Sequence, residues 1–269
     1  MENILQKIID VKKNKIEFYK KKYNENQLLN DIKNINNFIN FKDKIVNRTS
    51  EKKISIIAEI KKESPSAGEI VKNFDPVNIA KVYFKNGASF LSILTEENFF
   101  KGHLDHIRQV KEKFNIPILC KDFFIDTFQI PLAKSYGADC ILIILSAVDK
   151  VLAKDLYQAA NNLNITTLIE VHNEYEAELA LSFEQALIGI NNRNLKTLKI
   201  SLETTTKLSK ILIPHKNPLI SESGISTPDD IKYIFQKCGI QNFLIGESLL
   251  KSKNIAAKLD ELAQISVEK

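Results

Sequence analysis

Residues 140–171 read CILIILSAVDKVLAKDLYQAANNLNITTLIEV, and this stretch decides the architecture. It opens on a short apolar run, passes through Asp149 into a segment whose apolar residues recur at helical spacing, and closes on a second short run. Strand, helix and strand in that order argue for two parallel strands, because parallel neighbours need a crossover and the crossover is usually a helix.

The unit recurs along the chain. Short apolar runs stand at ISIIAEIK from Ile54, FLSILTE from Phe90, IPILCKDF from Ile116, CILIILS from Cys140, TTLIEV from Thr166, ALIGINN from Ala186, PLISESG from Pro218 and NFLIGES from Asn242. Helical patterns follow them, as in DPVNIAKVYFKNG from Asp75 and TPDDIKYIFQKCG from Thr227. In the latter, Thr227 before Pro228, acids in the first turn and Gly239 at the end form a start-and-stop signature. Eight such units are the number that closes a (β/α)8 TIM barrel, an α/β fold. An open doubly wound sheet is the alternative, and no GxGxxG follows the first run to support it. Ahead of the barrel, residues 1–48 are polar and rich in Asn and Lys, with Ile4, Leu5, Ile8, Ile9 and Val11 on one helical stripe. The expected organisation is a helical extension over 1–48 and a barrel over 49–269.

Composition agrees with one domain, since 269 residues at 44% hydrophobic can bury a large core. The net charge of +5 suits an anionic small molecule and falls short of a nucleic-acid footprint. Lys12 to Lys22 holds six lysines and one carboxylate, which reads as a solvated face rather than a nucleic-acid or membrane patch. Cys120, Cys140 and Cys238 are too scattered for a disulfide framework or a zinc site and read as buried thiols in a reducing compartment. No run approaches the roughly 18–20 residues of a membrane span, and MENILQKIIDVKKNK is not a signal peptide, so a cytoplasmic location is expected.

In such a barrel the active site lies where strands end, so polar residues that close apolar runs carry the information. Side chains alternate faces along a strand. Glu59 and Lys61 therefore share a face with Ile57, Lys121 with Leu119, Glu170 with Leu168, Asn191 with Gly189, and Glu222 with Ile220. A rim ion pair would account for any one of these. Five strands converging two lysines, three glutamates and an asparagine point to catalysis, because each unpaired charge is costly to bury. ESG at 222–224 and IGES at 245–248 place glycines in the loops after strands 7 and 8, the common phosphate site of this fold. The connection KESPSAGEIVKNF, 62–74, is longer than usual and reads as a lid.

The strings IAEIKKESPS (57–66), LSILTEENFFKG (91–102), ILCKDF (118–123), LIEVHNEYE (168–176), IGINNRNLKT (188–197), ISESGI (220–225) and FLIGESLL (243–250) resemble indole-3-glycerol-phosphate synthase. The resemblance spans essentially the whole chain. It implies a substrate with an anthranilate ring joined through nitrogen to 1-deoxyribulose 5-phosphate, ring closure with loss of carbon dioxide, then dehydration, with no metal or organic cofactor. Lys121 matches the family's principal general acid and Glu170 its general base. Lys61 matches a lysine that contacts the substrate carboxylate and shares proton transfer; Glu59, Asn191 and Glu222 match orienting residues. Ser64, Ser223, Gly224, Gly246 and Glu247 match phosphate-side positions, the last through its backbone. Arg193 matches a residue near the substrate, and Pro65, Phe100, Phe123, Leu142 and Leu195 the walls around the aromatic ring. The implied partner is a phosphorylated small molecule, bound by a monomer or weak homo-oligomer without nucleic acid or membrane.

The chain departs from the family pattern at His103, Asn194 and Ser201, which bears on loop geometry. Phosphoribosylanthranilate isomerase would need a Cys and Asp pair, and no cysteine closes the first strand. An aldolase forming an imine on Lys121, and an inactive barrel serving as a binding module, remain as alternatives at this point.

Overall fold

The computed structural model describes residues 4–35, 37–195 and 197–266. Eight parallel strands close a barrel in chain order: β1 (Ser55–Ile60), β2 (Phe90–Leu94), β3 (Ile118–Lys121), β4 (Cys140–Ile144), β5 (Thr166–Val171), β6 (Leu187–Asn191), β7 (Leu219–Glu222) and β8 (Asn242–Ile245). Closure is made by β1, which pairs Ile57 with Phe90 on one side and Ser55 with Asn242 on the other. The strands fall on the eight apolar runs.

Both faces of these strands are covered, which is why the runs are nearly all apolar. Ile57, Phe90, Leu119, Leu142, Leu168, Leu187, Ile220 and Leu244 point inward and form one buried cluster. Their neighbours Ile56, Ala58, Ile60, Ile93, Ile141 and Ile169 point outward into a second cluster shared with the surrounding helices. The helices begin where the sequence supplies caps. Asp75 accepts from the amides of Val77 and Asn78, and Asp149 from that of Leu152. Thr227 and Asp230 form a reciprocal capping box, with Pro228 in the first turn and Gly239 closing the helix at φ 71°.

The N-terminal segment forms three helices: α1 (Ile4–Lys22), α2 (Glu25–Lys33) and α3 (Phe41–Ser50). Residue 48 lies inside α3. Phe41 and Ile45 of α3 are fully buried in the barrel interior, and the Phe41 ring sits 4.6 Å from that of Phe90, the first residue of β2. α3 thus plugs the end of the barrel where strands begin. Phe41→Ala should cost roughly 3–5 kcal/mol of stability, as large core truncations do, in a denaturation measurement.

α1 crosses the opposite end, and here the solvated-face reading of Lys12 to Lys22 is corrected. The buried stripe is Ile8, Lys12 and Ile16. Lys12 Nζ lies 2.6 Å from Asp122, Lys15 Nζ 2.7 Å from Glu97, and Lys20 Nζ 2.6 Å from Asp126. Half of the lysines on this segment therefore fasten the helix to the loops after β2 and β3, while their aliphatic stems cover apolar surface. Of the three thiols, Cys120 and Cys140 are buried, but Cys238 is only partly so. Among the described residues no helix is long and apolar enough to cross a membrane.

Candidate active site

A cavity of about 490 Å³ opens where the strands end, and every site residue singled out in the sequence lines it. The loop 62–74 enters through a small antiparallel ladder that pairs Glu63 with Glu69 and Ser64 with Gly68. That ladder brings Ser64 and Pro65 to the cavity wall.

The floor is a network of charges. Lys121 Nζ donates to Glu170 Oε2 at 2.8 Å and to Glu222 Oε2 at 2.6 Å. Lys61 Nζ donates to Glu59 Oε1 at 2.6 Å. Asn191 donates through Nδ2 to Glu170 Oε1 at 3.2 Å and accepts from the Arg193 amide at 3.0 Å. Two glycines make room for these carboxylates: a Cβ on Gly189 would lie 2.0 Å from Glu222 Oε1, and one on Gly246 2.4 Å from Glu59 Oε1.

Burial and charge oppose one another in this network. Burial favours the neutral amine of Lys121, but Glu170, Glu222 and Glu59 outweigh it and hold the side chain as an ammonium. Burial likewise favours a neutral Glu170, yet Lys121 and His172 keep it ionised, well below the usual carboxylate range. Glu222 goes the other way, since burial and the neighbouring Glu170 push it up to about 8 against the pull of Lys121. The two carboxyls that share one ammonium are thus shifted in opposite directions, Glu170 down and Glu222 up.

Above the floor the cavity divides into an apolar and a polar side. Phe100 and Phe123 stand with ring centroids 6.2 Å apart. Leu142, Leu195 and Pro65 line the cavity as well. On the other side Ser223 and Gly224 both adopt positive φ, 65° and 83°. A positive φ is costly for serine, and Asn192 holds it there by donating to the Ser223 carbonyl and to Ser221 Oγ, each at 3.0 Å. Gly246 and Glu247 lie next to this turn across the cavity mouth. The Glu247 carboxylate turns to Arg193 at 3.3 Å and Lys251 at 2.6 Å, which offsets its charge.

The departures in loop sequence are accommodated locally. His103 Nδ1 accepts the amide of Asp105 and so caps the helix that begins at Leu104. Asn194 Oδ1 accepts the amide of Thr197 at 2.9 Å.

Several cavity residues escaped the sequence reading. Ile4, Leu5 and Ile8 reach the cavity from α1, and Leu198, Ile200, Ser226, Ser248 and Lys251 from the loops. Lys251 was findable as one helical turn after Glu247. His172, which contacts Glu170 without lining the cavity, was findable too, two residues beyond Glu170 and therefore on the same side of the chain.

Comparison with known proteins adds an independent line. The sequence model of the family described as Indole-3-glycerol phosphate synthase matches residues 5–262. A protein of that description from Bordetella pertussis (strain Tohama I) is 37% identical over 262 residues, covering 97% of this chain and 99% of its own. One from Alkaliphilus metalliredigens (strain QYMF) is 41% identical over 96% of this chain and 97% of its own. One from Legionella pneumophila (strain Paris) is 46% identical over 77% of this chain and 80% of its own. A solved chain from Aquifex aeolicus VF5 superposes with a TM-score of 0.62 at 13% identity, over 83% of this chain and 97% of its own. That last likeness concerns the fold alone.

Proposed function

Because the chain belongs to the indole-3-glycerol phosphate synthase family, we propose that it converts 1-(2-carboxyphenylamino)-1-deoxyribulose 5-phosphate to indole-3-glycerol phosphate, carbon dioxide and water. The observation that carries the reading is the ammonium of Lys121, held between Glu170 and Glu222 at the cavity floor, beneath an apolar wall on one side and the Ser223–Gly224 turn on the other.

The ring slot and the turn fix the two ends of the substrate, so the reacting carbons meet without further loss of freedom. The ring carbon bearing the carboxylate attacks the sugar ketone, and Lys121 gives its proton to the ketone oxygen as charge develops there. Carbon dioxide then leaves with its bonding electron pair retained by the ring, restoring aromaticity. Dehydration follows: Glu170 takes a proton from carbon while Lys61 delivers one to the departing hydroxyl, which leaves as water. Lys61, oriented by Glu59, pairs with the substrate carboxylate and shares proton transfer. Asn191 fixes the Glu170 carboxylate. Glu222, protonated in the free enzyme, leaves Lys121 with a single full negative charge in contact, which keeps its proton available.

The phosphate is held by Ser64, Ser223, Gly224 and the backbone of Gly246 and Glu247, with Arg193 beside it. The protein acts in the cytoplasm as a monomer or weak homo-oligomer, without nucleic acid or membrane.

The test is a direct product assay with the anthranilate-deoxyribulose phosphate. Indole-3-glycerol phosphate should appear with one equivalent of carbon dioxide. Capture of the substrate on Lys121 by borohydride, with no indole formed, would replace this reading with imine chemistry.

A further inference from the structure

His172 is a buried side chain that the mechanism above does not use. It leaves the end of β5 two residues after Glu170, and its ring is 8% exposed. Nδ1 lies 3.1 Å from Glu176 Oε2 in a hydrogen bond, while Nε2 lies 3.1 Å from Glu170 Oε1. The second contact is an ion-pair contact rather than a well-aligned hydrogen bond, and among the described residues Nε2 has no hydrogen-bond partner.

A neutral imidazole has one N–H and one lone pair, so it would turn a lone pair toward one of the two carboxylate oxygens. Only the imidazolium presents a proton to both. The charged groups facing the ring are Glu170 from β5 and Glu176 from the helix that follows; Lys121 from β3 and Glu222 from β7 lie beyond Glu170. Burial opposes charging the ring, but the two glutamates prevail and raise it to about 9.

The far end of this bridge is rigid. Glu176 sits in the first turn of the helix Glu174–Ala180, whose N-cap is Asn173. Its carboxylate accepts from Asn173 Nδ2 at 2.6 Å and from the His172 amide at 2.8 Å, and its own amide donates to Asn173 Oδ1 at 3.0 Å. Both Glu176 oxygens are therefore fixed by the helix start.

We propose that His172 is a positioning residue, an imidazolium bridge that carries the fixed geometry of the Glu176 helix start into the carboxylate of Glu170. The inference rests on the reading of Glu170 as the base of the dehydration step. Glu170 is then clamped from three directions: Lys121 at one oxygen, Asn191 and His172 at the other. The bridge adds to Lys121 in keeping the carboxylate ionised while nothing is bound, and it holds the oxygen that takes the proton in one rotamer.

The experiment is the pH profile of kcat for His172→Gln and Glu176→Gln beside Glu170→Gln, with KM measured throughout. Gln at 172 removes the cation. Gln at 176 keeps the side-chain length but removes one of the two charges that hold the ring protonated. Losing an opposite charge raises the pKa of Glu170, so the acid limb of the profile should move to higher pH by about one unit or more in both variants. KM should stay near wild type while kcat falls. Glu176→Gln decides the matter if His172→Gln fails to fold. Variants that lose thermal stability but keep the wild-type acid limb, while Glu170→Gln is inactive, would overturn the bridge and leave Glu170 as base. Full turnover in Glu170→Gln would instead remove the reading on which the bridge rests.

Discussion

Lys12 of α1 and Asp122, the residue after Lys121, form an ion pair with 2.6 Å between Nζ and Oδ1 and side chains only 6% and 10% exposed. Asp122 also accepts from Thr95 Oγ1 and from the Phe123 amide, each at 2.7 Å. The helix whose residues Ile4, Leu5 and Ile8 line the cavity is thus tied to the strand end that carries the central lysine.

Removing one partner of a buried pair leaves the other charge uncompensated, which typically costs 3–5 kcal/mol. Lys12→Met should lose about 3 kcal/mol, the low end, because Asp122 keeps its other two donors. KM should rise as α1 loosens over the cavity. Denaturant unfolding and steady-state kinetics check the two effects separately, and an unchanged KM would make α1 a cover without a part in binding.

Gly246, proposed for the phosphate side, also leaves room for Glu59: a Cβ there would lie 2.4 Å from Glu59 Oε1 and 3.0 Å from Glu59 Cβ. The contacts are all with the Glu59 side chain, so Gly246→Ala should keep the fold while turning Glu59 away from Lys61. Gly246→Ala should therefore lower kcat as well as raise KM, the kcat loss being roughly tenfold for a charged hydrogen bond of about 1.5 kcal/mol. A variant altered in KM alone would confine Gly246 to phosphate binding.

Burial and the neighbouring Glu170 push Glu222 up to about 8. Below that pH it is neutral; above it a second carboxylate charge sits against Lys121 and holds the lysine's proton more tightly. The rate constant kcat/KM should therefore fall as pH rises through about 8. In Glu222→Gln the amide stays neutral, so activity near neutral pH should be largely kept and the inflection near 8 should disappear. Retention of the inflection would assign it to another group.

The barrel and the convergence of charged side chains at its floor were legible because both follow from local rules. Apolar runs alternate with capped amphipathic helices, and the two-residue period of a strand is enough to aim Glu59, Lys121, Glu170, Asn191 and Glu222 at one point. What escaped depends on partners distant in sequence. Lys12, Lys15 and Lys20 look solvated until Asp122, Glu97 and Asp126 are brought to them. Phe41 looks like part of a polar extension until it meets Phe90. The pair Glu170 and Glu222 gives no sign in sequence of which carboxyl is ionised, because burial and Lys121 decide it.

The central claim is that Lys121 supplies the proton for ring closure, and turnover of Lys121→Met by direct product assay tests it most directly. Methionine keeps the length and apolar stem but has no proton to give, so the interaction lost is one made in the transition state. The account predicts a fall in kcat of about 10² to 10⁴-fold with the fold retained and KM little changed. Near wild-type kcat in that variant would contradict it and move the acid role to Lys61.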